Sequence, residues 1–490
     1  MNAAHPILTC AEAKDFESAY FAGDEALEWS AMQQAGRAVA DAVLRDFQEI
    51  GGFPSAGGRV LVLAGKGHNA GDALIAAHRI VELHPRIRVE VRFAFGERTL
   101  RPLAQRAWRD LAPVAASVSE GSSLGYDLVL DGVFGYQFRP PLDTATAELL
   151  AQVNALPIRF RAAVDLPSGL DDACAFRADF TYATGIVKTP LLALSNAGRA
   201  RYLDLGFFDE PLKPTRHLIS DKTGRVLTPA VLAPLRALRS PRSDKRTYGH
   251  VFIVGGSRSY PGAVLMSVMA AMRSGAGLVT AFVPESLTAA FAARVPEAMW
   301  VGWPETPDGG LALEGSHLLR EKIARASSLM IGPGLGREPE TLALARDIVA
   351  QSAVPLVIDA DALQPDIVAA GKAPRILTPH AGELARIEPH VGVDAVVVRK
   401  GPVTAIHHAG GAYHSFFGGP VLARGGSGDL LAGLTAGLLA QTPADVAGAA
   451  QRGVVWHGLA ADAWARADGQ VATHTTRLLD FLGSALRDNA

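Results

Sequence analysis

The run RGGSGDLL sets Gly425, Gly426 and Gly428 around Asp429, at what reads as the start of an amphipathic helix beginning near Asp429. Amide N–H groups at a helix start have no intrahelical acceptor and attract phosphate, and glycine lets a phosphate approach without meeting a Cβ. A carboxylate at that position can take a proton from a substrate hydroxyl while the amides hold charge on a transferring phosphoryl group. Asp429 is therefore the candidate base of the second half of the chain. Taken alone, the string is read equally well as a glycine-rich turn with Asp429 as the helix cap, so the context has to decide.

That context is a set of further motifs in the same half: YGHVFIVGGSRSYPGA, IGPGLG, VIDADAL, ILTPHAGE and RKGPVT, nearly all directly after a predicted strand. In open α/β sheets ligands bind beyond the carboxyl ends of strands. Singly, His380 reads as a hydrogen-bonded core histidine, Asp361 as a helix cap and GPGLG as a tight turn; jointly they describe one cleft.

The first half carries a second set. GKGHNAGD joins the strand RVLVLA to a helix whose Leu74, Ala77 and Val81 share one face, a setting for pyrophosphate on helix N-terminal amides, although its spacing is not the usual dinucleotide fingerprint. LDGVFGYQFRPPL and AVDLPSGLDD place Asp131 and Asp165 at strand ends, with Ser168 shortly after. The amide, carboxylate and hydroxyl oxygens of Asn69, Asp131 and Ser168 suit a hard cation such as potassium; capping of turns is the alternative role for the same side chains.

The elements that must position these residues are strands alternating with helices. In the first half they are RVLVLA, RVEVRFAF with Val89, Val91, Phe93 and Phe95 in alternation, YDLVLD and RAAVDLP. In the second they are HVFIVGG, GLVTAFVP, SSLMIG, PLVIDA, RILTP and AVVVRKG, then a hairpin turning at Gly410 and Gly411, then two closing helices. This pattern predicts an α/β protein with mostly parallel, doubly wound sheets. At 490 residues the chain exceeds one core, and its pattern breaks into prolines and charges between about Gly206 and Tyr248, so we expect domains at 1–215 and 225–490.

A net charge of -2 leaves no basic field for nucleic acid or an anionic membrane. Cys10 and Cys174 are too few for a disulfide framework or a zinc site, which points to a reducing compartment. With no basic segment before the first apolar run, and Leu430 to Ala440 too short to span a bilayer, a cytoplasmic protein is expected.

From about Lys245 to Leu482 the motifs resemble the ADP/ATP-dependent NAD(P)H-hydrate dehydratase family, which implies a ribokinase-like α/β domain. By that resemblance Ala263, one of the GPGLG glycines Gly334 and Gly336, His380 and Asp429 contact the hydrated nicotinamide cofactor. Lys400, Gly401, Pro402, Val403, Thr404 and the glycines Gly425, Gly426 and Gly428 hold the adenine nucleotide, expected to be ADP with magnesium. The chemistry is coherent: hydroxide leaves poorly from the hydrated ring, and phosphorylation makes it a better leaving group. Residues from about 10 to 210 resemble the NAD(P)H-hydrate epimerase family, with a Rossmann-like domain. This implies that His68, Asn69, Ala70, Gly71, Asp72, the loop Gly135, Tyr136, Gln137, Phe138, Arg139, Pro140, Pro141, and Asp165 meet the hydrate. Asn69, Asp131 and Ser168 then bind potassium, and Asp165 is the acid–base residue.

Two departures stand out. The epimerase loop usually reads NNGGDG, whereas here Ala70 and Ala73 add methyl groups where backbone should approach the ligand, and a positive φ at either would be strained. The segment between Glu383 and Lys400 is also short for the family. The expectation is a working epimerase fused to an ADP-dependent dehydratase, acting on NADH and NADPH hydrates as a homo-oligomer with no nucleic-acid or membrane partner. The rivals are a ribokinase-like small-molecule kinase and a dehydratase carrying a noncatalytic first half.

Overall fold

The computed structural model describes residues 2–120, 124–209 and 223–487. The chain forms two compact units, Met1–Val226 with Ala465–Gln470, and Leu227–Trp464 with Val471–Ala490.

In the first unit seven parallel strands lie in the order Ala115–Ser117, Arg86–Phe93, Ala56–Ala64, Tyr126–Gly132, Ile158–Val164, Phe180–Thr184, Arg199–Leu203. The chain runs outward from Ala56–Ala64 on one side and returns to Tyr126–Gly132 on the other, so the strand order reverses between these two. Their carboxyl ends frame the crevice in which doubly wound sheets bind ligands. Alternation explains why both central strands read as unbroken apolar runs. Val60 and Val62 face a core shared with the helices Glu25–Asp46, His68–Leu83 and Pro102–Leu111, while Leu61 and Leu63 face the helix Thr144–Ala155. The strands at Phe180 and Arg199, and a parallel pair between Ala4–Leu8 and Val187–Lys188, were not read from sequence.

The second unit repeats the logic. Its strands run Met299–Trp303, Leu278–Pro284, His250–Val254, Ser328–Ile331, Leu356–Ile358, Arg375–Leu377, Val396–Arg399, parallel throughout, then Thr404–His408 and Gly411–Ser415 antiparallel. The order reverses between His250–Val254 and Ser328–Ile331. The edge strand Met299–Trp303 and a third closing helix, Leu478–Arg487, add to the expected elements.

The helix after GGSGD differs from expectation in two ways. It spans Ser427–Gln441, and it is not amphipathic: every residue from Leu430 to Ala440 is buried. Its small residues admit close neighbours, and a Cβ on Gly433 would lie 2.1 Å from the Ser267 carbonyl oxygen on the helix Pro261–Arg273. Gly433→Ala is therefore expected to destabilise the second unit by about 1–3 kcal/mol, read as a lower urea midpoint. An unchanged midpoint would mean that the two helices separate freely. No described helix is long and apolar enough to cross a membrane.

Candidate active site

At the first reversal point lies a cavity of about 500 Å³, with Asn69, Asp72, Gly135, Asp165 and Lys188 in its wall. The helix His68–Leu83 enters it with Gly67 as an N-cap that supplies no side chain, so the amides of the first turn lack a cap. The first helical bond runs from the Gly71 N–H to the Gly67 carbonyl.

Asp165 follows directly on the strand Ile158–Val164 with φ of 65°, a left-handed conformation that costs a Cβ-bearing residue about 1–3 kcal/mol. The surroundings hold it there. Its N–H donates to the Tyr182 carbonyl at 2.8 Å, and its Oδ1 accepts from Lys188 Nζ at 2.5 Å, both side chains being buried. Gly135 sits opposite: a Cβ there would lie 3.3 Å from Asp165 Oδ2 and 3.4 Å from Asn69 Oδ1. Tyr136 donates its hydroxyl to Glu17 Oε2 at 2.5 Å. Lys188 and Glu17 were missed in the sequence. A lone lysine closing the apolar run GIVK was the available signal for the first; nothing local marks the second.

Asn69, Asp131 and Ser168 come together around the Phe134 backbone. Asn69 Nδ2 donates to the Phe134 carbonyl at 2.8 Å, and the Phe134 N–H donates to Ser168 Oγ at 2.9 Å. Ser168 in turn donates its hydroxyl to Asp131 Oδ1 at 2.6 Å and its N–H to Oδ2 at 2.8 Å. Burial pushes the Asp131 carboxyl up to about 6 against these bonds, and no cationic side chain pairs with it among the described residues. A cation would supply the missing counter-charge.

Not every expected contact is present. Ala70 and Ala73 are not strained and do not crowd a ligand: both are helical, fully buried and part of the core. Gly71 faces Met32 instead of the cavity, because a Cβ on it would lie 2.4 Å from Met32 Sδ, and Pro140 lies outside the wall. His68, Gln137, Phe138, Arg139 and Pro141 line the wall as expected.

In the second unit the candidate residues gather where the strand ends meet the helix Ser427–Gln441. Gly426 enters that helix with φ of 93° and caps it with no side chain; the first helical bond runs from Leu430 N–H to Gly426, leaving the Gly428 and Asp429 amides uncapped. Lys400 reaches across from the end of Val396–Arg399. Its Nζ lies 3.2 Å from Asp359 Oδ1, and a Cβ on Gly428 would lie 3.2 Å from Nζ. Asp359 also accepts from Thr378 Oγ1 at 2.7 Å. The sequence had singled out Asp361 in this motif; it instead fastens the GPGLG loop by accepting from the Gly336 N–H at 3.0 Å. Half burial, with Asp359 and Asp361 outweighing Lys400, pushes the Asp429 carboxyl up to about 7. Ser267 Oγ donates to the Asp429 carbonyl at 3.2 Å, tying its turn to the neighbouring helix.

Gly334, at φ of 64°, lies beside Ala263. His380 is no core histidine. It is exposed and caps the short helix Ala381–Ile387, its Nδ1 accepting from the Gly382 N–H at 3.0 Å. Gly401, Pro402 and Val403 form a turn between Val396–Arg399 and Thr404–His408. Gly425 is exposed just ahead of Gly426.

Comparison with known proteins assigns the two units to families. A family model for NAD(P)H-hydrate dehydratase matches residues 251–483, and one for the YjeF-related protein N-terminus matches residues 29–189. The bifunctional NAD(P)H-hydrate repair enzyme of Gloeobacter violaceus is 35% identical over 495 residues, covering 94% of this chain and 93% of that one. The chain belongs to the bifunctional NAD(P)H-hydrate repair enzyme family. The corresponding enzyme of Moorella thermoacetica is 32% identical over 510 residues, with 93% and 92% covered. A crystal structure of the Bacillus subtilis ADP/ATP-dependent NAD(P)H-hydrate dehydratase, co-crystallised with ATP and magnesium, is 27% identical, covers 52% of this chain and 94% of its own, and has a TM-score of 0.44. In this repair enzyme the YjeF-related unit precedes the dehydratase unit, the order expected from sequence, and the match along both halves sets aside the small-molecule kinase reading.

Proposed function

We propose that the first unit interconverts the R and S hydrates of NADH and NADPH, and that the second dehydrates the S form with ADP, giving NAD(P)H, AMP and phosphate. The observation that carries this is Asp429 on the uncapped turn of a buried helix, with Lys400 beside it. Asp429 accepts the hydroxyl proton as that oxygen attacks the terminal phosphoryl group, and the Gly428 and Asp429 amides with Lys400 hold its charge. Phosphate then leaves with the C–O electron pair, and loss of the neighbouring C–H proton restores the ring. Ala263, Gly334 and His380 border the hydrate; Lys400 to Thr404 and the glycines before Asp429 border the nucleotide. Magnesium, carried by the nucleotide's phosphates, would supply charge against the transferring phosphoryl group.

In the first unit Asp165, fixed by Lys188, is the acid–base group at the hydroxyl-bearing carbon. The residues fit potassium: Asn69, Asp131 and Ser168 would hold it, and it would balance the buried Asp131 charge beside the loop after Gly132.

The test is recovery of NADH absorbance from a mixture of both hydrate epimers with ADP or ATP, magnesium and potassium. Full recovery is expected, faster with ADP. Replacing potassium by choline is expected to slow use of the R epimer alone. A plateau at the S fraction would identify a silent first unit, and no recovery with either nucleotide would defeat the repair reading.

A further inference from the structure

Most acidic side chains around the first unit's cavity have a partner. Asp165 has Lys188, Glu17 has Tyr136 and Asp143 has Thr146. Asp72 has none. It lies on the helix His68–Leu83, lines the cavity at 8% exposure, and accepts no hydrogen bond from any described residue. With no protein donor and only the cavity to open into, its charged form is disfavoured relative to the neutral carboxyl. Among the charges that act on Asp72, Asp165 and Glu17 are like charges, and the cation, Lys188, is bonded to Asp165. Burial first, then the like charges of Asp165 and Glu17, hold the Asp72 carboxyl well above the usual carboxylate range, with Lys188 opposing. Two carboxyls on one cavity, one bonded to an ammonium and the other without a protein donor, form the pattern of a base and its acid.

We infer that Asp72 is a second catalytic residue of the epimerisation, the acid that protonates the departing hydroxyl while Asp165 serves as the base for its return. This rests on the epimerase reading above. Hydration of the ring's enamine double bond puts the hydroxyl on the carbon bonded to the ring nitrogen. The Asp72 proton passes to that oxygen, the C–O bond breaks with its electron pair on the leaving water, and the nitrogen lone pair forms a C=N bond. Water then adds to the opposite face and gives a proton to Asp165, and the C=N pair returns to nitrogen. One proton has moved from Asp72 to Asp165, and water in the cavity carries it back.

The test uses the full chain without nucleotide and follows conversion of the isolated R epimer by NMR. Asp72→Asn should lower kcat about 10²- to 10⁴-fold while KM stays within about threefold. The wild-type rate should fall as pH rises through the Asp72 titration; this limb should persist in Glu17→Gln and vanish in Asp72→Asn. A wild-type kcat for Asp72→Asn overturns the proposal. Should that variant melt early, Asp72→Glu decides: turnover with the alkaline limb supports the role, and turnover no better than Asn overturns it. A wild-type chain that interconverts no epimers fails the epimerase reading itself, a separate outcome.

Discussion

Asp429→Asn is expected to slow nucleotide-dependent dehydration of the S hydrate by about 10²- to 10⁴-fold while nucleotide affinity stays within a few-fold. Asparagine keeps the shape of the turn and the uncapped amides that would hold the phosphates, and removes only the proton acceptor. The pH profile gives a second signature. A base works ionised, and the Asp429 carboxyl is pushed up to about 7, so the wild-type rate should rise with pH through about 7 and then level. The variant's residual rate should lack that rise. Rates by NADH absorbance across pH, with calorimetry of ADP binding, check both; wild-type turnover by the variant would remove Asp429 from the mechanism.

Lys188→Met should cost the first unit about 3–5 kcal/mol and abolish epimerisation. The substitution leaves the Asp165 carboxylate buried, without its counter-ion, on a backbone already held at φ of 65°. Removing both charges should relieve most of this cost: Lys188→Met with Asp165→Asn is expected to regain stability in urea and no activity. If the single variant unfolds at the wild-type midpoint, the ion pair is not what holds this corner of the cavity.

The two sheets were legible because their central strands are buried on both faces and read as apolar runs, and because glycine and aspartate punctuate their carboxyl ends. Val60 to Leu63 and Phe252 to Val254 are such runs. Motifs local in sequence, such as GGSGD and AVDLPSG, pointed to Asp429, Asp165 and Ser168 for the same reason. What escaped was set by contacts between distant segments. Lys188 meets Asp165 through a two-residue strand, Glu17 arrives on the helix Cys10–Phe21, and Asp359 outranks Asp361 only because Lys400 and Thr378 converge on it. The alanines of HNAGDA misled for a related reason. The sequence showed a departure from glycine but not that the helix begins at His68, which turns Ala70 and Ala73 into core residues and leaves the cavity wall to Asn69 and Asp72.

The wall of the first cavity also carries Lys66, Arg101 and Arg139, all exposed to solvent, while its interior cation, Lys188, is neutralised by Asp165. Attraction for a pyrophosphate is thus concentrated at the mouth. Diffusional encounter with a dinucleotide should be accelerated there and should weaken as ionic strength rises, while the proposed proton transfers inside lie where salt hardly reaches. Capture and turnover in the first unit respond to different properties of the surrounding medium.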